Sequence, residues 1–375
     1  MNALIAGSEP LMSSPAAAPR ASPEGSAGSA LGLPWLVADV GGTNARFGWI
    51  ASATVGIEHV HTLPVAAFSG PAEAAGAYFE YLRAQRGVAD AQPRRAALAV
   101  ATAVHDDEVA LTNSHWRFSR QALQNGLGVE RLLTLNDFEA LALSLPKLGP
   151  KQTRSIGMPL ADGTIGTTGA VGRANAARAT RAPGGTMAVI GPGTGLGVGA
   201  VVQTAHGWVA VPGEGGHATL APLDDFESEL LRHVRQEHAH VSAERLLSGI
   251  GLPVLHEAVA AVLGHNVPQQ SAEAIVELGT SGQDPLCRFT LDTFCALLGG
   301  FAGSVALTLG ARGGVYVGGG IVPRFGERFF ESRFRERFEA KGRARSFLED
   351  IPTTLITDTL AALTGAAFAL EQLER

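Results

Sequence analysis

Asp39 sits near the end of the apolar run WLVADV and is followed by Gly41, Gly42 and Thr43. A carboxylate beside a glycine turn could hold a magnesium ion, perhaps through water. The exposed backbone N–H groups and the Thr43 hydroxyl could surround a phosphate. A plain hairpin with a turn aspartate is spelled the same way. Gly193 and Thr194, in IGPGTGLG, repeat the style later in the chain. Two such turns suit the two ends of a triphosphate. Gly318, Gly319 and Gly320 follow the run GVYV, where bare backbone would let a flat ring such as adenine approach closely. A tight turn into a helix near Val322 reads equally well.

Carboxylates come next. Asn136-Asp137 ends the apolar run LLTL and begins a helical pattern. Asp137 is placed to cap that helix. It is equally placed to accept a proton from a substrate hydroxyl, since strand ends in open α/β sheets face ligand crevices. In PGEGGH, glycines wrap Glu214 and His217, three residues apart, so a loop could turn both toward one point. Carboxylates and paired donors suit a polyol; a metal pair would want a helix and a second histidine, and neither is evident. Glu244 follows the helix-capping Ser242, as a solvated helix residue or as a third carboxylate entering the same site.

These residues need strands and helices to hold them. After Gly42, Ala45, Phe47 and Trp49 alternate with Arg46, Gly48 and Ile50, the period of a strand. No helix follows the turn and no Walker Lys-Ser/Thr is present, so the first turn joins two strands. The turn at Gly193 is read the same way. Strands are expected at 35–40, 45–50, 96–101, 107–111, 131–135, 187–190, 197–203, 207–211, 314–318 and 353–357. Helices are expected at 71–86, 119–126, 137–145, 226–238, 242–248, 253–263, 270–279, 284–309, 324–340 and 360–373. The mixture is α/β. A glycine-rich strand–turn–strand in each half suggests two similar lobes with a cleft between them.

Composition bounds the function. The net charge of −6 argues against a nucleic-acid binder held by phosphate contacts. Two cysteines, Cys287 and Cys295, without a CxxC or Cys/His cluster, read as buried core residues rather than a zinc site. The uncharged run 293–311 approaches membrane-spanning length, but its glycines, serine and threonines fit a buried helix better, and no membrane partner is expected. Residues 1–32 lack the basic start and apolar core of a signal peptide and read as a disordered lead-in, so a cytoplasmic protein is expected.

Taken in order, VADVGGTNARF, LTNSHWRFS, LNDFEALALSLP, IGPGTGLGVG, VPGEGGHATLAP, SAERLLSG and GGVYVGGGIVPRF resemble the bacterial glucokinase family. This is the hexokinase-type branch of the actin-like ATPase superfamily, and the resemblance runs from about Trp35 to Ala367. It implies two actin-like (ribonuclease H-like) lobes with mixed sheets and a cleft between them. The expected division is a small lobe at 33–147, with a C-terminal helix near 358–375 packing on it, a loop or linker at 148–185, and a large lobe at 186–357. It implies Asp137 as general base toward the 6-hydroxyl of glucose, with Asn136, Glu214, His217 and Glu244 binding other sugar hydroxyls. Ala38, Asp39, Val40, Gly41, Gly42, Thr43, Gly193 and Thr194 would surround the phosphates of ATP and Mg²⁺, with Asp39 on the metal side through water. Gly318, Gly319 and Gly320 would line the adenosine pocket, and a homodimer is implied. The chain departs from the family at TAVHDD (102–107), near the sugar loop, and at DTLAALTGAA (358–367), which lacks the usual Asn-Pro-Gly. The loop at 160–184 is longer than usual. The expected activity is ATP-dependent phosphorylation of glucose. Another hexose or amino-sugar kinase of this fold is the alternative, and a non-catalytic sugar sensor is a more distant one.

Overall fold

The computed structural model describes residues 32–157 and 185–373. The expected lead-in, apart from Gly32, and the whole 160–184 loop lie outside the described residues.

Two sheets of the same topology organise the chain. In the first, β1 (Trp35–Val40), β2 (Asn44–Ile50) and β3 (Glu58–Pro64) form an antiparallel meander. Helix α1 (Pro71–Arg86) then leads to β4 (Arg95–Val100), which lies parallel to β1. A small hairpin, β5 (Glu108–Ala110) and β6 (Arg117–Ser119), and α2 (Arg120–Leu127) lead to β7 (Arg131–Asn136), parallel to β4. The order is β3-β2-β1-β4-β7. Helix α3 (Asp137–Ser144) and the edge strand β8 (Thr153–Ser155) follow.

The second sheet repeats the plan. β9 (Met187–Pro192), β10 (Leu196–Thr204) and β11 (Gly207–Val211) are again an antiparallel meander. Helices α4 (Asp225–Val234), α5 (Ala243–Leu246), α6 (Gly251–Val262), α7 (Ala272–Ser281) and α8 (Pro285–Leu309) come next. They are followed by β12 (Gly314–Val317), parallel to β9. After α9 (Glu327–Glu331), α10 (Phe334–Glu339) and α11 (Arg345–Glu349) comes β13 (Thr353–Ile356), parallel to β12. The order is β11-β10-β9-β12-β13-β8. The duplication suggested by the two glycine turns is therefore a duplication of sheet topology, and the sheets are mixed as the actin-like fold requires.

The helices that follow the last strand of each plan hold the two sheets together. Helix α3 leaves the first sheet, yet Ala142, Leu143 and Leu145, at and just beyond its end, are buried with Met187, Val189 and Val201 of the second. Helix α12 (Ala361–Gln372) leaves the second sheet and buries Leu363, Ala366 and Leu370 on Trp35, Val37 and Ala97 of the first. The two helices meet at Gly365, where a Cβ would strike the Ala140 carbonyl. Burial of this kind contributes roughly 25 cal/mol per Å² of apolar surface, so the crossed pair is a strong joint.

Several expectations change in the structure. The front of the segment read as loop from 148 holds β8, which pairs antiparallel with β13. Three residues carry no readable period, and the partner strand supplies the pattern. The helix expected at 324–340 breaks at Ser332. Its hydroxyl donates to the Phe329 carbonyl at 2.6 Å and accepts from the Phe334 N–H at 3.3 Å, ending one helix and starting the next. Helix α8 is long and apolar enough to span a membrane by composition, but 78% of its apolar window is buried inside the protein. Cys287 and Cys295 are free and buried, and burial pushes their thiols up to about 11 and about 12.

Candidate active site

The first turn is closed by the Gly41 N–H donating to the Asn44 carbonyl at 2.9 Å. Thr43 is exposed, and its carbonyl holds the Val65 N–H at 2.8 Å. At Gly42 a side chain has no room: a Cβ would stand 2.7 Å from the Asn113 carbonyl oxygen. Asn113 belongs to the LTNSHWRFS loop, which Trp116 anchors through its indole N–H to the Phe68 carbonyl at 2.9 Å. The first glycine turn and the LTNSHWRFS loop are thus in contact. Asp39 pairs across the hairpin with Arg46. Burial raises the Asp39 carboxyl above the ordinary range, and the Arg46 guanidinium opposes that shift. The Ala38 and Val40 side chains are buried in the first core, and β1 has ladder partners on both edges.

The second turn, between β9 and β10, is closed by the Gly193 N–H to the Gly195 carbonyl at 2.8 Å. It is braced by the Gly249 N–H on the Gly193 carbonyl at 2.8 Å. Thr194 is exposed. Of the third glycine group, Gly319 and Gly320 are exposed, and Gly319 takes a φ of +79° that only glycine adopts freely. Gly318 is buried: its N–H is held by the Ile190 carbonyl at 2.8 Å, and a Cβ on it would meet Leu141 at 3.0 Å.

At the end of β7 the cap falls on Asn136, not on Asp137. The Asn136 side-chain oxygen accepts the Phe138 N–H at 2.9 Å and the Glu139 N–H at 3.3 Å. The Glu139 carboxylate answers by accepting the Asn136 N–H at 3.4 Å, a capping box. One N–H of the Asn136 amide donates to the Thr102 carbonyl at 3.1 Å, leaving the other for a ligand. Asp137 is therefore released from helix capping and keeps one bond, from the Phe138 N–H at 3.0 Å. Burial pushes its carboxyl up to about 6. The Phe138 N–H opposes the shift, and the charges of Asp39 and Glu214 add to it. Asp137 thus feels the charges of both Asp39 and Glu214.

On the far wall, His217 stands between two carboxylates, with Nε2 4.0 Å from Glu214 and Nδ1 3.8 Å from Glu244. Glu214 is 73% exposed and Glu244 only 25%. The difference has a cause: a Glu244 oxygen accepts the Leu196 N–H at 2.8 Å, directly after the second turn. Glu244 therefore ties the loop of His217 to the second glycine turn, which is more than a solvated helix residue does.

Among the described residues, no group of three or more His, Cys, Asp or Glu side chains converges as a metal cage. Asp39 is a lone carboxylate beside the phosphate turn, a donor set that fits Mg²⁺, which takes one or two carboxylates plus phosphate and water. Three site residues escaped the sequence reading. Arg46 gave a signal in its strand position opposite Asp39, and its guanidinium reaches the Thr359 carbonyl. Asn113 gave none, because its approach to Gly42 is tertiary. Phe138 looked like an ordinary apolar helix residue.

With the geometry in view, comparison with known proteins is direct. The glucokinase family model matches residues 36–373. A glucokinase of Chromobacterium violaceum is 44% identical over 334 residues, covering 89% of this chain and 88% of the relative. A glucokinase of Neisseria meningitidis is 42% identical over 340 residues, covering 91% and 95%. The crystal structure of a glucokinase from an Antarctic psychrotroph superposes with a TM-score of 0.77 at 38% identity, covering 90% of this chain and 98% of that one.

Proposed function

The chain belongs to the glucokinase family, ATP-dependent kinases of glucose, and from that premise we propose how its own residues divide the reaction. Glucose lies in the cleft with its 6-hydroxyl at Asp137. The carboxylate takes the hydroxyl proton while the oxygen attacks the γ-phosphorus in line. The bond from phosphorus to the β,γ-bridging oxygen breaks, and ADP leaves. Asn136, through its remaining amide N–H, and Glu214, His217 and Glu244 orient the other hydroxyls. The turns that the Gly41 and Gly193 N–H groups close, with Gly42 and the Thr43 and Thr194 hydroxyls, surround the phosphates. Asp39 faces Mg²⁺, which when bound would neutralise phosphate charge. Exposed backbone at Gly319 and Gly320 leaves room for the adenine ring.

One observation carries this reading. Asn136 caps the helix, so the neighbouring carboxylate keeps a single bond from the Phe138 N–H and is half-buried and raised to about 6, the range in which a carboxylate serves as a base near neutral pH. We further propose a cytoplasmic homodimer, following the family resemblance, and lobes divided near 33–147 and 186–357.

The test is a coupled assay with glucose, ATP and Mg²⁺, repeated with each component left out. Polyphosphate then replaces ATP, and fructose or glucosamine replaces glucose. Asp137→Asn is expected to lower kcat by about a hundredfold or more while calorimetry still shows glucose binding. A wild-type rate in that variant removes Asp137 from the role.

A further inference from the structure

Phe138 follows the proposed base, and its side chain leaves the sheet that the base comes from. Gly191 and Gly197 are cross-strand partners in the β9–β10 hairpin. A Cβ on Gly191 would stand 2.8 Å from ring atom Cε1 of Phe138, and a Cβ on Gly197 would collide with ring atoms Cε2, Cδ2 and Cζ. A Cβ on Gly199, the next position on that face, would stand 2.9 Å from the Phe138 carbonyl oxygen. None of these three glycines has a positive φ, so their backbone would accept any residue. Glycine inside a strand weakens it. The space taken by Phe138 is what calls for glycine here. The hairpin that seats the ring is the one whose tip is the second phosphate turn, beginning right after Pro192.

We propose that Phe138 is a positioning residue: its ring, seated on the Gly191–Gly197 pair, fixes Asp137 relative to the second phosphate turn. The glycines of IGPGTGLGVG then have two jobs. Gly193 and Gly195 shape the turn, and Gly191, Gly197 and Gly199 make the seat. Asp137 follows a strand of the first sheet and the second phosphate turn belongs to the second, so the seat sets the distance between the base and the phosphoryl group it must serve, where small misplacements are costly.

The inference rests on Asp137 as the base, and its test separates the two. Phe138→Ala, Phe138→Leu, Gly197→Ala and the pair Gly197→Ala/Phe138→Leu are assayed for melting temperature, kcat, and KM for glucose and ATP. Phe138→Ala is also made in the Asp137→Asn chain. Phe138→Ala is expected to lower kcat at least about tenfold with KM for both substrates within about threefold. In the Asp137→Asn chain it should lower the residual rate no further. Gly197→Ala should lose activity that Phe138→Leu partly restores. Wild-type kcat in Phe138→Ala overturns the inference, as does an equal loss with and without Asp137, or a Gly197→Ala defect that shortening the ring leaves untouched. Should Phe138→Ala not fold, Phe138→Leu alone decides, and an unchanged kcat overturns the inference. A wild-type rate in Asp137→Asn defeats the base assignment instead, whatever the Phe138 variants do.

Discussion

Asp39 and Asp137 stand at the carboxyl ends of two parallel strands with one strand between them. Asp39 pairs with Ala99, and Ala99 pairs with Leu135, two residues before Asp137. Two strand spacings put Asp39 and Leu135 about 10 Å apart in backbone terms. At that range one half-buried carboxylate still acts on another, and the Asp39 charge is one of the causes that raise the Asp137 carboxyl. The sheet therefore sets both the position of Asp137, the proposed base, and part of its proton affinity.

The first expected outcome concerns pH. The base must be deprotonated to act, so kcat should rise with pH through about 6, the raised value of Asp137. Asp39→Asn removes a like charge, so the acidic limb should move to lower pH while the overall rate falls. A pH–rate profile of both proteins checks the sign, and a limb that moves upward contradicts it.

Stability should move the opposite way from activity. The Asp137 carboxyl is raised in the folded chain from 3.8 to about 6, so folding favours its protonated form. The penalty is absent below the unfolded value, grows between the two values, and is complete above the folded one. At neutral pH this amounts to about 3 kcal/mol before any relaxation. Asp137→Asn should therefore be more stable than the parent at pH 7, and the difference should vanish near pH 3.5. Denaturant titrations at both pH values measure it.

Glu244 serves two partners, and its variants should separate them. Glu244→Ala loses both the Leu196 N–H and the contact with His217, so KM should rise for ATP and for glucose, by about tenfold each. Glu244→Gln keeps an oxygen for Leu196 but loses the charge facing His217. Its KM should rise chiefly for glucose. Steady-state kinetics with each substrate varied in turn distinguishes the patterns.

Gly365→Ala probes the joint between the sheets. The added methyl meets the Ala140 carbonyl with no flexible side chain to yield, so α3 and α12 must part. Overpacking of this kind costs about 1–3 kcal/mol. A lowered melting temperature is expected, together with a reduced kcat, because α3 carries Asp137.

Metal removal is the simplest experiment. Chelation should abolish turnover and added Mg²⁺ should restore it. Asp39→Asn should need a higher Mg²⁺ concentration for half its maximal rate, since a single carboxylate is being asked to face the ion. An unchanged Mg²⁺ requirement in that variant removes Asp39 from the metal side.

The sequence by itself determined a good deal. Alternation in ARFGWI identified the first glycine turn as a hairpin, because side-chain period follows directly from backbone geometry. The same logic located the central strands, whose apolar runs announce burial on both faces. Motifs in order along the chain were sufficient for the family. Short edge elements such as β8 stayed unreadable, because pairing with β13 rather than local preference makes Thr153–Ser155 a strand. Tertiary structure alone decided three matters at the site. It gave the cap to Asn136 and so freed Asp137, a choice between adjacent residues that either side chain could have made. It set the Ala38 and Val40 side chains and Gly318 in buried positions, because a motif marks a stretch of chain and not the direction each residue faces. It also gave the glycines of the second hairpin their separate tasks, since only the approach of Phe138 from another sheet shows why a side chain cannot be there. Local rules act over a turn or a strand, whereas these assignments depend on which surfaces the two sheets bring together.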